Sequence, residues 1–255
     1  MIIDTHCHIN DSKYNEDIDQ VISRAINSNV KRMICVGTDL KTSEKAINLA
    51  NQYNEIYATV GYHPHESKDA DKGYLYELQD MSKEPKVVAI GETGLDYHYN
   101  ISIQSIQKRI FREQIELSQE IQIPIIMHNR NSTEELLSII ESTDLKNGVI
   151  HCFSESWEIA NKLISKGLKL SFTGMVTFVK DPINEVLEKI NLTDFFLETD
   201  SPYLTPKPHR GKRNEPSLIS LTAQHIAKIK NVDSKEIINQ TTENAFNFFK
   251  KMNRN

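Results

Sequence analysis

The sequence predicts an α/β protein of the (β/α)8 barrel class, one domain over residues 1–255, with its functional residues at the C-terminal ends of the strands. Three observations carry that expectation. Short apolar, β-branched runs alternate with longer amphipathic runs eight times in 255 residues, which is about 32 residues per unit, close to the repeat of such a barrel. The turn after the first run, Thr5-His6-Cys7-His8, contains no glycine, whereas a doubly wound sheet often opens on a Gly-rich turn. Finally, five histidines and two carboxylates fall at the ends of the apolar runs, where a barrel collects its chemistry.

In order, the strands are expected at Ile2–Asp4, Arg32–Val36, Ile56–Val60, Val87–Ile90, Ile125–His128, Gly148–His151, Lys169–Phe172 and Phe195–Glu198. Each is short and apolar, as strands covered on both faces should be. Helical patterns lie between them at Asp17–Ser28, Thr42–Asn51, Gly73–Met81, Ser102–Glu120, Ser132–Glu141, Ser156–Lys166, Asp181–Ile190 and Ser217–Lys230, and a last one at Asp233–Lys250. Ser132 stands at capping-box spacing from Glu135, and Asp181-Pro182 places proline in a first helical turn. The Ser102–Glu120 segment mixes Ile103, Ile106, Ile110, Phe111, Ile115 and Leu117 with charge, as a helix covering a sheet does.

Composition excludes several classes. At 38% hydrophobic and 25% charged residues the chain can bury a core. No apolar run approaches the roughly 20 residues of a membrane span. The start, Met1-Ile2-Ile3-Asp4, lacks the basic and apolar regions of a signal peptide. Cys7, Cys35 and Cys152 are an odd, scattered set, so no disulfide framework is expected and the cytoplasm is the expected location. The net charge of −5 argues against a broad basic face for long duplex DNA, so a nucleic-acid role needs a local site. No coiled coil or apolar surface stripe is evident. The oligomeric state is left open, with a monomer favoured.

The strand ends read as a metal site. After the first strand come His6 and His8, after the third His63 and His65, and after the fourth Gly91-Glu92-Thr93-Gly94-Leu95-Asp96-Tyr97. The fifth ends in His128-Asn129-Arg130, the sixth in His151-Cys152-Phe153-Ser154, and the eighth in Glu198-Thr199-Asp200-Ser201-Pro202. His6 and His8, two apart on a strand, point to the same side and reach one ion, while Cys7 points away. One ion rarely takes six protein ligands and keeps an open position. Two divalent ions sharing a carboxylate fit better: His6, His8 and Asp200 around one, His128 and His151 around the other, and Glu92 as the bridge. Imidazole and carboxylate ligands suit Zn, Mn, Fe or Co, while Mg prefers oxygen, and the identity stays open, with Mg, Mn or Zn expected.

Around that core, Asp200 is the expected proton acceptor for a metal-activated water. Glu198, two residues earlier, is either a further ligand or support for one. Arg130 is placed as a phosphate-binding guanidinium, the plainer reading being an ion pair with Glu134 or Glu135. His63 is placed as a substrate contact, the plainer reading being that it ties down the Pro64 loop; His65 is less certain. Asp96 braces His128 or a loop amide. Tyr97, Phe153 and Tyr203 are candidates to stack on bases, although aromatics near loops are more often packing. The basic run Lys207–Arg213 is either a solvated loop or a guide for a nucleic-acid backbone.

These blocks, in this order and spacing, resemble the TatD family of metal-dependent deoxyribonucleases in the amidohydrolase superfamily, almost end to end. The later Arg210-Gly211-Lys212-Arg213-Asn214-Glu215-Pro216 also fits. The resemblance implies a TIM barrel, divalent metal on His6, His8, Glu92, His128, His151 and Asp200, and hydrolysis of DNA phosphodiesters, commonly from a 3′ end with Mg2+ or Mn2+. Glu155 departs from the pattern, since many relatives have glycine there. Two other readings stay open. One is a metallohydrolase acting on a small amide, lactone or phosphodiester. The other is a metal-binding scaffold without catalysis.

Overall fold

The computed structural model describes residues 1–254. Runs of buried aliphatic residues form each strand: β1 (Ile2–Cys7), β2 (Val30–Cys35), β3 (Ile56–Val60), β4 (Val87–Asp96), β5 (Ile125–Arg130), β6 (Gly148–Ile150), β7 (Lys169–Phe172) and β8 (Phe195–Leu197). The helices are α1 (Ile18–Asn27), α2 (Leu40–Gln52), α3 (Tyr74–Met81), α4 (Gln104–Glu120), α5 (Thr133–Ser142), α6 (Trp157–Ser165), α7 (Ile183–Lys189), α8 (Ile219–Lys230) and α9 (Ser234–Phe248). The strands lie in one sheet in chain order, β1 to β8, and pair in parallel. This is the strand order of a (β/α)8 barrel, the predicted fold class.

Three strands run further than their apolar stretches suggest. β1 continues through Cys7, β4 through Asp96 and β5 through Arg130. Gly91 and Gly94 look like turn residues in sequence, yet both lie inside β4 at φ 135°, a conformation glycine adopts freely. A Cβ on Gly91 would lie 2.7 Å from the Ile126 carbonyl oxygen, and one on Gly94 would collide with the backbone of His128. The glycines therefore let β4 lie close against β5, where Gly94 pairs with His128 and Asp96 with Arg130.

Two helix starts differ from expectation. Ser132 precedes α5 without capping it; its hydroxyl instead lies 3.0 Å from the Leu95 carbonyl and 2.8 Å from Asn129 Oδ1. The capping box belongs to α2, where Asp39 Oδ1 accepts the Thr42 amide at 2.6 Å and Thr42 Oγ1 accepts the Asp39 amide at 2.9 Å. Pro182 stands before α7, whose first residue is Ile183.

The described chain divides into two compact units, residues 1–35 with 152–248 and 254, and residues 36–151 with 249–253. In the first, the stretch after β8 runs alongside the end of β1. The Asp200 amide donates to the His6 carbonyl at 2.9 Å, and the His8 amide donates to the Ser201 carbonyl at 2.7 Å. Phe172, Phe195 and Phe196 fill the core of this unit, fully buried. In the second, two buried amides of α4 fix the ends of β3 and β4. Gln114 accepts the Tyr62 amide at 2.8 Å and donates to Thr93 Oγ1 at 2.6 Å. Gln107 accepts the Asp96 amide at 2.9 Å and donates to the Ser102 carbonyl at 2.7 Å.

Candidate metal centre

The first unit gathers His6, His8 and Asp200. His6 Nε2 and His8 Nε2 face each other at 3.1 Å, and Asp200 Oδ1 lies 3.7 Å from the first and 3.3 Å from the second. At that separation either one nitrogen carries a proton toward the other, or both lone pairs serve one cation. Two imidazoles and a carboxylate converging on one point are the donor set of a divalent transition ion. Cys7 is turned away and fully buried, its thiol toward the Ile34 carbonyl at 3.4 Å. Beneath the pair, the buried Asp4 carboxylate accepts from the Thr199 amide at 2.9 Å and hydroxyl at 2.6 Å. Burial outweighs these bonds and pushes the Asp4 carboxyl up to about 8.

The second unit gathers Glu92, His63, His128 and His151. Three imidazoles approach one oxygen, Glu92 Oε1: His151 Nε2 at 2.8 Å, His128 Nδ1 at 3.0 Å and His63 Nε2 at 3.5 Å. Burial alone would raise the Glu92 carboxyl, but electrostatic attraction to His151 and His63 and the bonds from His128 and His151 hold it well below the usual range. His128 Nδ1 also lies 3.2 Å from His151 Nε2. The other nitrogen, His128 Nε2, is 3.3 Å from Asp96 Oδ2. Asp96 holds a proton at Nε2, and Nδ1 either donates to Glu92 or, in the neutral ring, offers its lone pair to a cation, the arrangement by which a carboxylate orients a metal-binding histidine. Burial would lower His128, but its bonds to Asp96 and Glu92 raise it.

His63 joins this cluster. Its Nδ1 accepts the His65 amide at 3.1 Å, so the neutral ring carries its proton on Nε2, toward Glu92. Burial drives its pKa well below the ordinary value, so that neutral form dominates. His63 is therefore a partner of Glu92 in this geometry. Glu198, fully buried, uses Oε1 for the Cys152 amide at 2.6 Å and Oε2 for the Ser171 hydroxyl at 2.6 Å, which fixes the peptide directly after His151.

Arg130 ends β5 beyond His128. Its guanidinium carbon sits 4.6 Å from the centre of the Tyr99 ring, and no carboxylate lies within ion-pair distance among the described residues. Glu135 pairs instead with Lys108 at 3.5 Å. Of the three aromatics singled out in sequence, Phe153 is 2% exposed and is core, which removes it as a stacking surface. Tyr203 is exposed, lies edge-on to His8 with ring centres 6.2 Å apart, and carries Lys13 over its face at 4.5 Å. Tyr97 is half-buried, and burial pushes its hydroxyl up to about 12. In the basic run, Arg213 is occupied by Asp17 at 2.6 and 2.9 Å and by the Lys13 carbonyl at 2.5 Å, so it braces the loop. Tyr99 went unnoticed in the sequence, where nothing but aromatic character marks it.

Comparison with known proteins decides the family. A sequence model described as "TatD related DNase" matches residues 3–250. A Bacillus subtilis protein named uncharacterized metal-dependent hydrolase YabD is 42% identical over 254 residues, 98% of this chain and 99% of its own. The chain belongs to the TatD family. It is accordingly a TatD-family metal-dependent hydrolase, and the groups of histidine and carboxylate side chains described above could hold a divalent ion. A Salmonella typhimurium TatD-family member named 3′-5′ ssDNA/RNA exonuclease TatD is 32% identical over 257 residues, 97% of this chain and 98% of its own. Among solved structures, the TatD homologue YjjV of Escherichia coli superposes with a TM-score of 0.92 at 27% identity, covering 98% of each chain.

Proposed function

We propose that this TatD-family chain is a deoxyribonuclease that hydrolyses phosphodiester bonds from the 3′ end of single-stranded or end-frayed DNA, with two divalent ions. The carrying observation is the end of β5, where His128 in its carboxylate cluster is followed two residues on by Arg130, a guanidinium with no carboxylate partner among the described residues. A metal-binding set beside a free planar cation suits a phosphodiester better than a neutral amide or lactone. The name of the Salmonella typhimurium relative points the same way.

His6, His8 and Asp200 would hold one ion and His128 and His151 the other, with Glu92 as the carboxylate they would share. When bound, the ions supply Lewis acidity and positive charge against the phosphate. Asp200, partly open to solvent at 14%, takes the proton of the attacking water. Arg130 grips the phosphate through two N–H donors. Asp96 holds the ring of His128 in place, and Glu198 holds the backbone after His151. The three cysteines are free, and no helix of the described residues is long and apolar enough to cross a membrane; the proposed location is the cytoplasm.

The test is a 5′-labelled single-stranded oligodeoxynucleotide incubated with the protein and Mg2+ or Mn2+, with Asp200→Asn and a chelator alongside and an oligoribonucleotide in parallel. The expected outcome is a ladder shortening from the 3′ end, abolished by chelation and slowed at least about 100-fold by Asp200→Asn, the usual contribution of a proton acceptor. No cleavage by metal-loaded wild type would overturn the nuclease reading in favour of a small-molecule hydrolase.

A further inference from the structure

An aromatic surface lies just past the end of β4, held rigidly beside the second cluster. Tyr99 is 56% exposed. Its amide donates to Asp96 Oδ1 at 2.9 Å, and the His98 amide donates to the same oxygen at 3.0 Å. The ring itself is clamped. The Arg130 guanidinium lies over it at 4.6 Å, and His65 and His98 meet it edge-on, with ring centres 5.5 and 4.8 Å away. Asp96, which fixes this loop, also accepts from His128 Nε2. One carboxylate thus ties the exposed ring to a residue of the cluster.

A large exposed ring with so many fixed contacts loses little freedom when something settles on it. Its neighbours define the class of ligand. Arg130 offers donors to an anion, and Ile101 and Ile103, two and four residues further along the chain, are 50% and 61% exposed. A flat apolar group attached to a phosphate matches that combination. We infer that Tyr99 is a stacking platform for the base of the nucleotide whose phosphate Arg130 holds. The inference rests on the phosphodiesterase reading above and adds a selection rule. A base inside a duplex has both faces covered by its neighbours, so a site that requires one open face favours unpaired strands.

The test is an enzyme-by-substrate cycle. Values of KM and kcat are measured with Mg2+ or Mn2+ for a short oligothymidine and for the same strand made abasic near its 3′ end, on wild type, Tyr99→Ala and Tyr99→Trp. Removing the bases should raise the wild-type KM roughly tenfold, the scale of one lost base–aromatic stack. Tyr99→Ala should show a similar rise on the intact strand, a smaller change in kcat, and no further rise on the abasic strand. Tyr99→Trp should restore the wild-type KM. A 2-aminopurine placed near the 3′ end should be quenched by wild type and not by Tyr99→Ala. If Tyr99→Ala responds to base removal as fully as wild type, the platform is overturned while the nuclease reading stands. If wild type cleaves neither strand, the nuclease reading falls and takes the platform with it.

Discussion

Four donors converge on the Asp96 carboxylate: the rings of His65 and His128 through Nε2, at 2.9 and 3.3 Å, and the amides of His98 and Tyr99. Burial works against its charge, but the bonds from His128, Tyr99 and His65 hold its pKa well below the usual carboxylate range. Asp96→Asn keeps the shape and removes the charge that fixes the proton of His128. Affinity for Mn2+ should fall by about 10- to 100-fold, as it does when a carboxylate behind a metal-binding histidine is lost. Titration calorimetry reads this directly, and unchanged affinity would show that His128 needs no such partner. The motif residues were legible at this scale because histidines and carboxylates have few reasons to stand at successive strand ends. Tyr99 was not, since its distinction is a rigid clamp of neighbours at positions 65, 98 and 130, and only folding supplies that clamp. His63 was legible as a participant but not by its partner, because the tautomer depends on the His65 amide.

Within the elements, Gly94 tests why β4 outlasts its apolar run. Gly94→Ala places a side chain at φ 135° and against the His128 backbone. The conformational strain alone is about 1–3 kcal/mol, and the collision adds to it. Gly211→Ala is the contrast, with φ at 85° and nothing within 4 Å of a new Cβ. In denaturant titrations the first should cost more than about 2 kcal/mol and the second about 1 kcal/mol. Equal costs would mean that β4 and β5 separate easily. A second test concerns how α1 meets the segment before α8. Glu215 accepts from Arg24 at 2.7 and 2.9 Å and from the Ser217 hydroxyl. Burial would raise its pKa, but these partners bring it below the ordinary 4.5. A carboxylate with a depressed folded pKa contributes stability that is present above 4.5 and lost as pH falls through the folded value. Glu215→Gln should therefore cost about 0.5–1 kcal/mol near neutral pH, the size of a half-exposed ion pair, and progressively less in acid. A difference that persists undiminished below that window would assign the loss to packing. Strand and helix order was legible from alternating hydrophobic periods. The strand ends and caps were not, because they hang on close backbone approaches at Gly91 and Gly94 and on where the Ser132 hydroxyl finds its acceptor.

For the whole molecule the governing quantity is charge. A net charge of −5 argues against a broad cationic face, and the fold class was readable because alternation, not charge, encodes a barrel. The basic run Lys207–Arg213 is reduced by the structure, since Arg213 is committed to Asp17. The cations that the proposed site would offer to a strand are Arg130 and, in this run, the exposed Lys207 and Lys212. Single-strand binding loses about 0.7 in the slope of log affinity against log salt for each phosphate neutralised. Two or three such contacts give a slope of about −1.5 to −2. Measured by fluorescence anisotropy on a phosphorothioate-linked strand at constant Mg2+, that shallow dependence should hold for wild type. Lys212→Gln should flatten it by about 0.7, and Arg213→Gln should leave the slope alone while lowering the thermal midpoint. A wild-type slope steeper than about −4 would mean that many more phosphates are engaged than these side chains can reach, and would move the nucleic-acid surface away from the strand ends.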